Sequence, residues 1–91
     1  MEIKMKAVIT VIGKDSVGII ATVSTECAKY GVNIVDITQS VIQDYFAMIM
    51  IVDVSKMNCE IDALQEMLKK SVPDMEVRVM HEDIFNSMHR I

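Results

Sequence analysis

Two different periods of hydrophobic and polar residues follow one another along this chain. The strand-like segments are short, apolar and rich in Val, Ile and Met, and they lie at Met5–Ile12, Val32–Ile42, Tyr45–Val54 and Met75–Met80. The helix-like segments carry apolar residues three or four positions apart, and they run from Ile19 to Tyr30, from Asn58 to just before Pro73, and over Asp83–Ile91. The pattern therefore predicts the order β-α-β-β-α-β, followed by a short helical tail.

The distribution of apolar residues predicts how these elements assemble. The first and third strands are apolar on both faces, which favours the middle of a sheet. Each of the two longer helices has one apolar stripe, so both are expected to cover the same face. With right-handed crossovers, this order predicts a ferredoxin-like α+β fold, a βαββαβ two-layer sandwich whose antiparallel sheet has the strand order 4-1-3-2. We expect a single domain over residues 1–91, with a core at about 5–82 and a C-terminal helical tail at 83–91.

Turn and cap residues place the ends of the elements. Gly31 is suited to the position after the first helix, and Asn58 is suited to cap the second. Gln43-Asp44 is a two-residue step that predicts a hairpin, although it lacks a glycine. In the second strand, simple alternation places Val35 and Ile37 on the same face.

The composition favours association with another chain. Of the 91 residues, 52% are hydrophobic and only 4% are aromatic, so the core must consist mainly of Ile, Val and the nine Met residues. A domain of this size buries only about 60% of the surface of its unfolded chain and gains stability from association. The sheet face that the two helices leave open is therefore expected to be covered by the tail helix or by another subunit.

Charge and targeting signals argue against several partners. The net charge is −4 and the nine basic residues are scattered, so neither nucleic acid nor an anionic membrane is expected as a partner. The first four residues are too polar for a signal peptide, and no apolar run approaches the ~20 residues of a membrane span. The two cysteines form no CxxC motif. We expect a reduced, cytoplasmic protein.

The loop between the first strand and the first helix is the strongest candidate for a binding site. It runs from Gly13 to Gly18 into a helix N-terminus, where unpaired N–H groups and the helix dipole favour a small anion. Asp15 or Ser16 is expected to cap the helix, and the glycine at position 18 suggests that a ligand or another backbone comes close. The glycine spacing is that of a phosphate-binding loop, but Ile19-Ile20 replace the required Lys and Ser/Thr. A tight connection with a cap would also explain these residues.

Catalytic and metal-binding constellations are not apparent in the sequence. His81 and His89 do not have the spacing of an HExxH motif, so we expect no metal site. Cys27 lies on the apolar stripe of the first helix and is expected to be an inert buried thiol. Cys59 lies at a helix start, where a thiol pKa can be lowered, but no histidine or acid is spaced to activate it. We therefore expect no catalytic residue, no cofactor and no enzymatic activity.

The motifs in their order along the chain resemble the ACT domain. They are the loop Gly13-x-Asp15-x-x-Gly18, the helix after it, and Gly31-Val32-Asn33-Ile34 entering the second strand. The resemblance covers roughly Met5 to Glu82, and the tail looks like the end of the small stand-alone ACT proteins. ACT domains are ligand-sensing units, commonly for amino acids, that are often attached to metabolic enzymes or transcription regulators. The resemblance implies a regulatory homodimer that binds an amino acid or a similar small metabolite between its subunits.

The ligand-binding residues that this resemblance implies come from two segments. The matching positions are Asp15, Ser16, Val17 and Gly18 in the loop, and Asn33 and Ile34 in the second strand. The backbone amides at the helix start suit a carboxylate, Asp15 suits an amine, and Asn33 suits either. Val17 departs from the well-studied amino-acid-binding members, which have proline at this position.

Two other classes of function stay open at this point. A structural or protein-interaction module, whose dimer or larger partner is its whole function, would depend on Ile84 and Phe85 rather than on Asp15 and Asn33. A small enzyme is the other class, since acylphosphatases share the βαββαβ order. They need an arginine in the loop after the first strand, where this chain has only Lys14. A metallochaperone would need a CxxC motif in the same loop.

Overall fold

The computed structural model describes residues 5–14 and 17–88 of the chain. Its strands are β1 (Lys6–Gly13), β2 (Asn33–Ile42), β3 (Tyr45–Asp53) and β4 (Glu76–His81). Its helices are α1 (Ile19–Lys29), α2 (Ile61–Ser71) and α3 (Glu82–Met88). The predicted order of strands and helices is confirmed.

The four strands form one antiparallel sheet in the order β2-β3-β1-β4, which is the predicted order 4-1-3-2 read from the other edge. The two central strands are the ones with apolar residues on both faces. The helices α1 and α2 pack on one face, where Val23 and Leu64 join Ile9 and Met50 in the main core cluster. The ferredoxin-like α+β fold follows from these layers.

The opposite face of the sheet is partly covered. Val8 lies outside the main core cluster, yet it is only 2% exposed. Among the described helices, α3 is the one that can shield it, because α3 contacts β1 and β4 while α1 and α2 lie on the other face. Further along this face, Ile12 and Ile49 are 48% and 40% exposed. The burial of Val8 agrees with cover by the tail helix at this end of the face, and the cover predicted for the face as a whole stays a prediction.

The regular alternation predicted for β2 is wrong near its start. A register shift separates Ile34, which pairs with Val52, from Asp36, which pairs with Ile51, and Val35 is the extra residue of this bulge. Because the bulge changes the parity of the strand, Ile34 and Ile37 both pack against the core. Val35 is displaced from that face and is half-exposed.

The predicted cap of the second helix is also wrong. Glu60 is the N-cap residue of α2, and its side chain makes no capping hydrogen bond. Asn58 instead binds the C-terminal end of α1. Its backbone N–H donates to the carbonyl oxygen of Tyr30 at 3.0 Å, and its Nδ2 donates to the carbonyl oxygen of Lys29 at 3.4 Å. The last carbonyls of a helix have no intrahelical partner, so they compete for nearby donors.

The predicted helix end at Gly31 and the predicted hairpin are confirmed. Gly31 has a φ of +73°, and hydrogen bonds from Gly31 N to Ala28 O and from Val32 N to Cys27 O close a Schellman motif. The step between β2 and β3 is a turn in which Gln43 adopts a φ of +54° without the help of a glycine.

Candidate functional site

The loop after β1 ends in a helix N-terminus that no described side chain caps. Gly18 is the N-cap residue, and the first intrahelical hydrogen bond joins Thr22 N to Gly18 O at 2.9 Å. The N–H groups of Ile19 to Ala21 precede this bond and point out of the helix end. The predicted N-cap at Asp15 or Ser16 is therefore wrong, because Gly18 holds the N-cap position, and the placement of Asp15 and Ser16 lies outside the described residues.

Gly18 is required for its backbone conformation rather than for a close contact. Its φ is +74°, in the left-handed region that side chains disfavour. A Cβ added at this position would meet nothing within 4 Å, so the close approach that the sequence suggested is not present in the described part of the chain.

Two exposed side chains flank this helix end. Lys14 Nζ lies 5.9 Å from the centroid of the Tyr45 ring, a cation–π distance that ties the start of the loop to the start of β3. Val17, the loop residue before Gly18, is 86% exposed. An aliphatic side chain with that exposure is suited to contact a ligand or a partner.

Asn33 and Ile34 lie at the other end of the sheet. The register places Asn33 opposite Asp53, which is opposite Lys6 at the start of β1, whereas Gly13 at the end of β1 is opposite Phe46. Seven strand positions separate these two rows, a distance of about 23 Å. The side chain of Ile34 packs against the core, and Asn33 is exposed. Within one chain, the two groups of predicted ligand residues are therefore not brought together.

The outer edges of the two edge strands differ. On β4, the backbone N–H of Val79 donates to Oε1 of Gln65 on α2 at 2.8 Å, so a side chain of the same chain occupies part of this edge. On β2, the backbone N–H of Ile37 donates to Oδ1 of the neighbouring Asp36 at 2.9 Å, a contact within the same strand. Val41, near the end of β2, is 67% exposed. An uncovered edge strand is a template for pairing with another chain.

The cysteines are not activated. Burial, and secondarily the Glu26 carboxylate, raises the pKa of Cys27 to about 11. Burial and the neighbouring Glu60 carboxylate raise the pKa of Cys59 as well, so the lowering that a helix start can cause is not observed. Among residues 5–14 and 17–88, no three His, Cys, Asp or Glu side chains converge to hold a metal ion. No helix in this part of the chain is long and apolar enough to cross a membrane.

The family model of the ACT domain matches residues 6–82, and the chain therefore belongs to the ACT domain family. Its relatives include the UPF0237 protein of Clostridium perfringens strain 13, which is 49% identical over 89 residues, with 96% of this chain and 100% of that protein covered. A solved ACT domain protein from Streptococcus pneumoniae is 36% identical and has a TM-score of 0.76, with 89% of this chain and 93% of that chain covered. The ACT domain from GTP pyrophosphokinase of Chlorobium tepidum has a TM-score of 0.62 at 17% identity, over 86% of this chain and 100% of that chain, and shows the shared fold alone.

Membership in this family gives the class of function. ACT domains are regulatory modules that commonly dimerise and bind small ligands, and they are not themselves a family of enzymes. The full coverage of the UPF0237 relative agrees with the predicted likeness to small stand-alone ACT proteins.

Several residues of this region were not singled out from the sequence. They are Gln65, which occupies the β4 edge, and the α2–β4 segment, which lies beside the loop. The contact of Gln65 with β4 and the packing of the α2–β4 segment beside the loop both depend on the assembled fold. No local sequence motif predicts either of them.

Proposed function

We propose that this protein is a homodimeric, non-enzymatic sensor that binds an amino acid in a site made by both subunits. The observation that carries the proposal is the separation of about 23 Å between the loop end of the sheet and Asn33 in one chain. A small ligand cannot touch both groups of one chain. In a dimer with a two-fold axis, the loop of one chain and Asn33 of the other can lie at the same end of the combined sheet, so one ligand can contact both.

The dimer that we propose forms along the outer edge of β2, an edge strand of the sheet. If the β2 strands of two copies pair in an antiparallel manner, the start of one β2 lies beside the end of the other. The end of β2 is in the row of Phe46 and Gly13, so Asn33 of one copy comes to the same end of the sheet as the loop of its partner. The occupied edge of β4 supports the choice of β2.

The chemistry of the two segments matches an amino acid. The N–H groups at the start of α1 and the positive end of its dipole suit the ligand carboxylate. Asp15 would pair with the ammonium group, and the Asn33 amide would donate to or accept from either. The proposed set of ligand-binding residues also includes Ser16, Val17, Gly18 and Ile34. Ile34 contributes by fixing the position of the strand that carries Asn33.

A panel of the standard amino acids tests this function by calorimetry and thermal shift. At least one should bind the intact protein at millimolar concentration or below, and Asn33→Ala should weaken that binding at least tenfold, because one good hydrogen bond to a charged group contributes about 1.5–3 kcal/mol. The matched control is Asn86→Ala on the exposed side of α3, which should bind normally. Absence of binding across the panel would contradict the proposal.

A protein-interaction module is the second candidate, and the open part of the sheet favours it. Ile12 and Ile49 are exposed on this face, and Ile84 of α3 is 52% exposed. If this surface were the whole function, Asp15→Ala and Asn33→Ala would leave cellular function intact, whereas a charge at Ile84 would abolish it. The opposite pattern is expected from a ligand sensor.

A further inference from the structure

A depression of about 240 Å³ lies beside the loop, between the first turn of α1 and the segment that joins α2 to β4. Five apolar side chains line it, those of Val17, Ile19, Val72, Pro73 and Met75. Thr22 and Ser71 also line it, but the Ser71 hydroxyl donates to the carbonyl oxygen of Leu68 at 2.8 Å and is engaged with its own helix. The depression thus combines apolar side chains with polar groups, among them Thr22 and Asp74, and it lies next to the helix end proposed to bind the ligand carboxylate.

The wall opposite the loop is held in place by the fold. Hydrogen bonds from Val72 N to Leu68 O and from Met75 N to Val72 O continue the end of α2 into the turn before β4. Val72 and Met75 are buried, and the Met75 side chain lies so close to Gly13 that a Cβ there would collide with its sulfur. This wall of the cavity is therefore fixed by the packing of the chain itself.

We propose that this cavity receives the side chain of the ligand and restricts the ligand to aliphatic amino acids of the size of valine, leucine or methionine. This inference rests on the proposed function, because it assumes that the amino-acid head group binds at the start of α1. The five apolar side chains would remove water from a charged side chain of the ligand without replacing its hydrogen bonds. Among the described lining residues Asp74 is the charged one, and because it is exposed, water screens both its repulsion of an acidic side chain and its attraction of a basic one.

Calorimetry of the intact protein with alanine, serine, leucine, lysine and aspartate tests the inference. Each methylene group buried in the cavity improves affinity by about fourfold. We therefore expect leucine to bind at least about tenfold more tightly than alanine or serine, and aspartate and lysine to bind more weakly than alanine.

Two variants alter the cavity in different ways. Val17→Ser removes an exposed aliphatic wall and should weaken leucine binding about fivefold or more while changing alanine binding less than about twofold. Thr22→Leu fills the space and should weaken leucine more than alanine. Met67→Ser, which removes an exposed apolar side chain of α2 that does not line the cavity, is the control and should change neither.

The possible outcomes separate this inference from the function on which it rests. Failure of every amino acid to bind would overturn the proposed function and the cavity assignment together. Binding in which serine, lysine or aspartate equals or exceeds leucine would overturn the cavity assignment alone. Equal loss of leucine and alanine binding in Val17→Ser would also overturn it, since the loop would then hold only the head group.

Discussion

At the scale of single residues, two glycines adopt the same backbone conformation but differ in how closely other atoms approach them. Gly18 and Gly31 have φ values of +74° and +73°. Among the residues that the structure describes, a Cβ at Gly18 would meet nothing within 4 Å, whereas a Cβ at Gly31 would lie 2.7 Å from the carbonyl oxygen of Lys56. The first glycine leaves space at a proposed binding site, and the second allows two turns of the chain to pack together.

Alanine substitution should separate these two roles. Gly18→Ala should lower the free energy of unfolding by about 1 kcal/mol, the expected cost of a left-handed alanine. Gly31→Ala should lower it by more than about 2 kcal/mol, because backbone atoms of Lys56 must also move. Urea unfolding measures both, and equal losses would contradict the contact assigned to Gly31.

The Cys27 thiol predicts a dependence of stability on alkaline pH. Its pKa is about 11 in the folded chain against an ordinary value of 9.0. Since the folded pKa is the higher one, the contribution of this thiol to stability is fully present below pH 9 and is lost as the pH rises toward 11. The urea midpoint should fall over this range, and it should fall less steeply in Cys27→Ala than in Cys59→Ala. An unchanged slope in Cys27→Ala would show that this thiol is not shielded.

At the scale of elements, the order and arrangement of the strands and helices could be predicted from the sequence, whereas the irregular positions could not. The two-sided apolar pattern of β1 and β3 was enough to place them centrally, and Gly31 was enough to end α1. The bulge at Val35 and the start of α2 at Ile61 were not predicted. Both depend on contacts with distant segments, the β3 register in one case and the end of α1 in the other, which no local pattern encodes.

In the candidate site, too, the features with local sequence signals could be predicted and those that depend on the assembled fold could not. The loop could be singled out from its glycines and the following helix, because those are local signals. The separation of Asn33 from that loop follows from strand register, and the adjacent cavity follows from the packing of the α2–β4 segment on Gly13. Neither is visible before the sheet is assembled.

The hydrogen bond from Val79 N to Gln65 Oε1 predicts a measurable contribution to stability from the β4 edge. Gln65→Ala should reduce the free energy of unfolding by about 1–2 kcal/mol, because it leaves a partly buried N–H without its acceptor. Glu66→Ala is a suitable control, since the ion pair of Glu66 with Lys69 is exposed and 3.9 Å long, and the change should be below about 0.5 kcal/mol. A loss at Gln65 no larger than at Glu66 would contradict this role.

At the scale of the whole molecule, association through β2 predicts a specific disruption. Proline has no N–H to donate, so Gln39→Pro in the middle of β2 should weaken pairing between copies and yield monomer in sedimentation velocity. Gln39→Ala keeps the N–H and should leave the dimer intact. A dimer that persists in Gln39→Pro, with the fold retained by circular dichroism, would place the interface elsewhere, with the exposed sheet face around Ile12 and Ile49 as the alternative.

The central claim is that each site is made by the loop of one copy and Asn33 of the other, and mixing two defective variants tests it most directly. Asp15→Ala and Asn33→Ala should each bind poorly alone, since both sites of each dimer are damaged. After exchange of subunits, half of the dimers are expected to be mixed, each with one intact site, so calorimetry should recover about a quarter of the wild-type binding capacity at wild-type affinity. A mixture that binds no better than its two components would contradict the shared site.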